Sequence, residues 1–181
     1  MKKLVGYEIV LRAPEPSDVD VLYRWENDSE IWHVSNTYTP FSKNILEKYI
    51  ENAHLDIYQV KQLRLMIDVR ENGNLKSRPV GTIDLFDFDP YHNRAGIGIL
   101  IGDKSDRKKG YATTALQKFI DYGFNTLQLH LLYCNITKGN TDSLRLFRKC
   151  GFRISGRKVD WIKTPGNYLE EFLLQLINPA D

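Results

Sequence analysis

Two short stretches of this 181-residue chain carry residues suited to holding a phosphate-bearing ligand. The first is Arg107-Lys108-Lys109-Gly110-Tyr111-Ala112-Thr113, which follows an apolar run and opens an amphipathic one. Backbone N–H groups at a helix start lack partners and carry the positive end of the dipole, so they suit a pyrophosphate. Gly110 permits close approach of the backbone, and the small Ala112 lets a ligand lie against the turn. A plain basic loop with a glycine at the helix start explains these residues equally well when they are taken alone. The second stretch runs from Asn140-Thr141-Asp142-Ser143 through Leu144, Phe147 and Lys149 to Cys150-Gly151-Phe152. A capped amphipathic helix with Leu144, Phe147 and Cys150 inward accounts for Gly151 as the left-handed residue after a helix. It does not require Asn140 and Ser143 together, one strand downstream of the first stretch.

Charge is distributed unevenly. Residues 15–30 carry six acids against Arg24, a net of −5, and residues 142–158 carry six bases against Asp142, a net of +5. Two solvated faces are the plain reading. The sharper one is a cationic substrate at one end and a phosphate-bearing ligand at the other. Asp87 and Asp89 read as surface acids beside a turn. A pI near 8.4 without a basic run interleaved with aromatics argues against nucleic acid. Trp25, Trp32 and Trp161 could wall an amine pocket, although tryptophans are more often core. His33, His54, His92 and His130 read as structural, His92 being the best placed. Cys134 and Cys150 lack metal-site or disulfide-scaffold spacing, so no metal is expected and reduced thiols in a cytoplasm are the default. No apolar run of about 18 residues is present, so no membrane span is expected.

These residues need elements to position them. Tyr7 to Arg12 alternates as a strand, and Ser17 is placed to cap a helix over 17–27. Ser42 caps a second helix with Ile45, Leu46, Tyr49 and Ile50 as its apolar stripe. The period then changes to two over 63–69 and 80–88, with a turn signal at Asn72-Gly73. Residues 94–101 form a nearly all-apolar, doubly buried strand. A helix over 110–126, a strand over 130–137, a helix to Gly151 and strands over 152–162 and 168–177 complete the chain. The expectation is one α/β domain over residues 1–181. Its meander is followed by a crossover helix and a final hairpin.

The two stretches together resemble the acyl-CoA signature of the GNAT superfamily of N-acetyltransferases. That signature reads Gln/Arg-x-x-Gly-x-Gly/Ala, then Asn-x-x-Ser/Ala-x-x-Leu-Tyr-x-Lys-x-Gly-Phe. Leu11-Arg12 to Asp18 resembles the opening of the ribosomal-protein and polyamine acetyltransferase branch. Asp121-Tyr122-Gly123-Phe124, His92, Arg94-Ala95 and Gly166-Asn167-Tyr168 are similar to the bacterial spermidine/spermine N-acetyltransferases. The resemblance implies a mixed, mostly antiparallel seven-stranded sheet, splayed parallel central strands and four helices.

It also implies roles. Acetyl-CoA would be the cosubstrate, with its pantetheine along Ile99, Leu100 and Ile101 and its pyrophosphate on Arg107 to Thr113. Asn140, Ser143, Phe147 and Lys149 would complete the cofactor site. The N–H near Leu100 would polarise the thioester carbonyl, with Asn140 beside the reacting end, and an amine would attack directly. Two departures stand out. Phe147 occupies the place of the Tyr that protonates the leaving thiolate, which leaves three readings: a substitute donor among Tyr133, Tyr111 and Cys150, a thiolate that departs unassisted, or acyl-CoA binding without turnover. Gly96 stands where the polyamine enzymes often carry Glu. The same resemblance implies a substrate-binding role for Asp84, which aligns with one of their acids, and for Glu26, Asp28 and Glu30, which fall in their acidic region between the first two helices. The expected activity is acetyl transfer to a primary amine, a polyamine among the candidates. Acetylation of a protein N-terminus and idle acyl-CoA binding are the alternatives, and the branch allows a homo-oligomer.

Overall fold

The computed structural model describes residues 6–35, 39–71 and 76–181. The Asn72-Gly73 turn, most of the loop expected at 36–40 and the His33 side chain lie outside the described residues. All seven expected strands form: β1 (Tyr7–Arg12), β2 (Leu63–Glu71), β3 (Arg78–Asp89), β4 (Arg94–Ile101), β5 (Leu131–Thr137), β6 (Arg153–Thr164) and β7 (Asn167–Ile177). They build one sheet in the order β1-β2-β3-β4-β5-β7-β6. Only β4 and β5 run parallel.

Six helices are described rather than four: α1 (Val19–Glu26), α2 (Ser29–Ser35), α3 (Lys43–Glu51), α4 (Ile57–Val60), α5 (Tyr111–Asn125) and α6 (Thr141–Lys149). The two unexpected ones, α2 and α4, are too short to show a helical period in sequence. Ser42 caps α3 as expected, accepting from the Ile45 N–H at 3.3 Å. Ser17 does not cap α1. Residues Pro16–Asp18 form a 3-10 turn, and the Asp18 carboxylate accepts the Glu15 N–H at 2.8 Å.

Strand alternation sorts the core into two faces. Ile67, Ile83, Ala95, Ile97, Cys134 and Ile136 pack with Leu116 and Phe119 of α5 and Phe147 of α6. On the opposite face Met66 and Leu100 meet Leu22 and Trp25 of α1 and Leu46 and Ile50 of α3. The chain therefore lays α5 and α6 on one side of the sheet and α1 and α3 on the other.

Strand β1 is tied to this frame by a buried ion group. Arg12 donates to Asp18 at 2.6 and 2.9 Å and to Asp68 at 2.9 Å. Asp18 and Asp68 are only 4% and 3% exposed. Burial pushes Asp18 up, but the Arg12 hydrogen bonds and the Glu15 N–H outweigh it and hold it below the usual carboxylate range. Its stabilising contribution is therefore complete above its unfolded value of 3.8 and is lost as pH falls through the lower folded value. Replacing Arg12 by Met should cost about 3–5 kcal/mol at neutral pH, because two carboxylates stay buried without their cation. Urea unfolding checks this, and the variant should show a flatter loss of stability between pH 5 and pH 3 than the wild type, in units on the order of one titrating group.

Candidate active site

The central strands stay paired for three positions only, Arg94↔Leu131, Ala95↔Leu132 and Gly96↔Tyr133. Beyond Gly96 they part, and a cleft of about 620 Å³ opens between β4, β5, α2, α5 and α6. Main-chain direction in this gap follows from two bonds. The Gly102 N–H donates to Val80 on β3, and the Leu131 N–H donates to the Asn93 carbonyl across the parallel pair. Peptide groups alternate sides along a strand, so Ile97, Ile99 and Ile101 direct theirs into the gap. Leu100 turns its N–H toward β3 and its side chain onto Trp25 and Met66. Leu100 is thus displaced as the main-chain donor by its odd-numbered neighbours, a parity that apolar composition could not reveal. The Arg107 side chain already meets the Ile101 and Gly102 carbonyls at 3.3 and 3.1 Å.

At the far end of the gap the first turn of α5 points its N–H groups into the cleft. Thr114 makes the first helical bond, to Gly110, which leaves the N–H groups of Tyr111, Ala112 and Thr113 without helical partners. Gly110 has φ +90°, and a side chain there would lie 2.8 Å from the Tyr7 hydroxyl. Asp106, 3% exposed, holds Arg78 at 2.7 and 2.8 Å and Lys109 at 3.1 Å. Those bonds, Arg78's first, hold its carboxyl below the usual range. Lys109 is thereby turned onto Asp106 and the Tyr111 ring and is not part of the cleft wall, whereas Arg107 and Lys108 are.

Helix α6 supplies the third wall. Asn140 accepts the Ser143 N–H at 3.2 Å through Oδ1, so its side chain is the helix cap and only its amide nitrogen remains to meet a ligand. Ser143, Phe147 and Lys149 also line the cleft. Phe147 is 3% exposed and packs edge to face on Phe152. Of the three substitute acids, Tyr133 sits where the strands are still paired and its hydroxyl donates to Asp87 at 3.2 Å. Burial and that acid raise it to about 12. Cys150 lies off the cleft wall, and Tyr111 lines it with its ring held edge-on against Tyr7. Cys134, Asn135 and Glu171 line the cleft as well; their apolar or mixed surroundings in sequence gave no chemical signal.

The four acids read as a cationic-substrate site are scattered and paired. Arg64 donates to Asp84 at 2.6 and 3.2 Å and to Glu26 at 2.5 Å. Glu30 lines the cleft and is ion-paired with Lys104. Asp28 accepts the Glu30 N–H at 2.9 Å and so serves as a local cap at the start of α2. Trp25 is core, Trp32 donates to the Glu26 carbonyl at 2.7 Å, and Trp161 is exposed under the Lys158 ammonium. Gly96 is explained by packing: a Cβ there would sit 2.2 Å from the Phe86 ring.

A parallel pair that splays beside a helix N-terminus offers unpaired main-chain groups and an anion-binding end to an extended ligand. The family described as acetyltransferase (GNAT) domain matches residues 8–153. The chain belongs to the GNAT acetyltransferases. Among GNAT relatives, an uncharacterized N-acetyltransferase p20 of Bacillus licheniformis is 29% identical, over 98% of this chain and 97% of that protein. A spermidine N(1)-acetyltransferase of Vibrio cholerae is 25% identical over 89% of this chain and 88% of its own length. The structure of a Vibrio cholerae spermidine N-acetyltransferase with CoA and spermine superposes with a TM-score of 0.80 at 24% identity, covering 93% and 95% of the two chains. As a GNAT enzyme the chain is an acyl-CoA-dependent N-acetyltransferase with acetyl-CoA as donor. A Gly110→Val variant should weaken acetyl-CoA binding at least tenfold while keeping its far-ultraviolet circular dichroism, because valine resists a positive φ and crowds the turn. Calorimetry with unchanged affinity in a folded variant would refute that role.

Proposed function

We propose that this enzyme moves the acetyl group directly from acetyl-CoA to a primary amine of a di- or polyamine. One observation supports the direct transfer: one cleft is lined both by the first turns of α5 and α6 and, across the fork, by Glu30 and Glu171. CoA enters along α5 and α6. The amine enters from the face of α1 and α2, so the nitrogen meets the acetyl carbon at the fork. The N–H groups of Ile97 and Ile99 are aimed into the gap and would polarise the carbonyl, as oxyanion donors do. The Asn140 amide would hold the pantetheine. Attack by the amine nitrogen forms the C–N bond, breaks the C–S bond and leaves a thiolate that takes a proton.

The acceptor class is supported by the substrates named for the relatives. A second reading, a mono-amine such as a protein N-terminus, is favoured by one feature: Glu26 and Asp84 are already neutralised by Arg64, and Glu30 by Lys104. No helix among the described residues is long and apolar enough to cross a membrane, which fits the cytoplasmic setting in this proposal. Self-association belongs to it too, supported by exposed Ile154, Val159 and Trp161 on the edge strand β6.

Release of free thiol from acetyl-CoA with a panel of amines tests this. Spermidine should be acetylated with a kcat/KM that falls as salt rises, since screening weakens steering of a polycation. Salt-independent transfer to a neutral peptide N-terminus, with spermidine ignored, would select the second reading. Transfer to neither, with acetyl-CoA still bound, would support idle acyl-CoA binding. An amide-to-ester exchange at Ile97 should lower kcat by about 10²–10³, the usual effect of losing one oxyanion donor.

A further inference from the structure

An amine arrives at neutral pH as an ammonium and must lose a proton before its nitrogen can attack. No side chain on β4 can take that proton, because Gly96 is overlain by the Phe86 ring. Four acids line the cleft: Glu30, Asp106, Asp142 and Glu171. Glu30 and Asp142 have largely exposed side chains, at 61% and 74%. Asp106 has both oxygens held by Arg78 and Lys109 at the pyrophosphate end. Glu171 differs from all three. Its side chain is 6% exposed, and Lys158 donates to Oε2 at 2.8 Å. Its other oxygen, Oε1, accepts no hydrogen bond from protein among the described residues.

Its position in the sheet fits the acceptor side. Glu171 lies directly opposite Thr137 on β5 and Lys158 on β6, and directly paired residues share a face. Tyr133, Asn135 and Thr137 alternate onto that face, and Tyr133 meets Phe86 there. It is the face of Leu100, α1 and α3, away from the CoA-bearing helices. Lys158 also donates to Asn135 Oδ1 at 3.1 Å, which fixes Asn135 and Glu171 together at the mouth of the fork. The register of β6 shifts between Lys158 and Ile162, with Asp160 at φ 49°. Bulges of this kind re-aim side chains beside active sites.

From this geometry we propose that Glu171 is the general base of the transfer, positioned by Lys158 and Asn135. This rests on the amine-acceptor reading above. The ammonium gives one proton to the Glu171 carboxylate, leaving a neutral amine and a carboxylic acid. The nitrogen lone pair then forms the C–N bond as the C–S bond breaks. The second proton of that nitrogen passes to the thiolate, giving CoA thiol and the amide. Glu171 returns its proton to solvent. The net change is one ammonium and one thioester converted to one amide, one thiol and one proton.

Glu171→Gln should lower kcat by about 10²–10⁴, the usual range for general base catalysis, with acetyl-CoA affinity within about twofold of wild type as a check of folding. Glu171→Asp, which keeps the carboxylate, should recover part of the rate that Glu171→Gln loses. The acceptors used are spermidine and a neutral peptide, so failure with spermidine alone overturns the polyamine reading and leaves this test intact. A Glu171→Gln enzyme within about threefold of wild-type kcat overturns the proposal. A crystal structure of the wild-type CoA complex soaked with spermidine decides independently of turnover and of variant folding. An ammonium nitrogen within hydrogen-bond distance of Glu171 Oε1 supports the proposal. A nitrogen on Asp84 or Glu26 overturns it.

Discussion

The parting of two parallel strands governs the rest of this molecule. A buried peptide group without a partner costs as much as a lost hydrogen bond, and β4 leaves those of Ile97, Ile99 and Ile101 aimed at a gap. A sheet that breaks off its central ladder after three pairs must have neighbours that hold both halves. The meander β1 to β4 is fixed by long antiparallel ladders on one side. On the other, β5 is fixed by a seven-residue ladder to β7. The strain of the fork is met locally by Arg107 at one mouth, and the remaining groups form a ready-made edge for an extended ligand. Binding by strand addition uses this physics.

Electrostatics around the fork is set by pairing rather than by net charge. The acidic N-terminal stretch does not form a negative surface of its own. Asp18 is bound by Arg12, Asp20 by Lys43, Glu26 by Arg64 and Glu30 by Lys104. Arg64 shows why such pairs come as groups. Burial works to lower its pKa, yet Asp84 and Glu26 together hold it above its ordinary value. The basic stretch is divided likewise. Arg157 and Lys158 are taken by Glu170 and Glu171, while Lys149 remains on the cleft wall. The cleft wall thus carries Arg107, Lys108, Arg145 and Lys149 beside α5 and α6, together with the acids Glu30, Asp106, Asp142 and Glu171.

Aromatic packing accounts for both departures from the family pattern. Phe147 is locked edge to face on Phe152 inside the core, so its site has become a packing position. Phe86 covers Gly96 and meets Tyr133 edge-on, and Tyr133 is held by Asp87. At positions 96 and 147, β4 and α6 therefore bring no titratable side chain to the cleft. Cys134, at the wall of the fork, keeps its thiol protonated because burial raises its pKa.

The strands, the longer helices and the two stretches that line the cleft were legible in the residues themselves. Period-two alternation, the Ser42 cap and the glycines at 110 and 151 are local signals, set within a few residues of where they act. The pairing of Asn140 with Ser143 was misread in the sequence as something a capped helix does not require, and it is the cap itself, Asn140 accepting the Ser143 N–H one turn on. Helices α2 and α4 were not, being too short for a period to show. Everything that depends on residues far apart in sequence waited for the tertiary structure. Arg64 joins Glu26 to Asp84, and Lys158 joins Asn135 to Glu171, across gaps that no spacing rule spans. Even the correction at Leu100 has this origin: which amides face the cleft depends on which side of β4 its partners lie, and strand order is decided by the packing of the whole sheet.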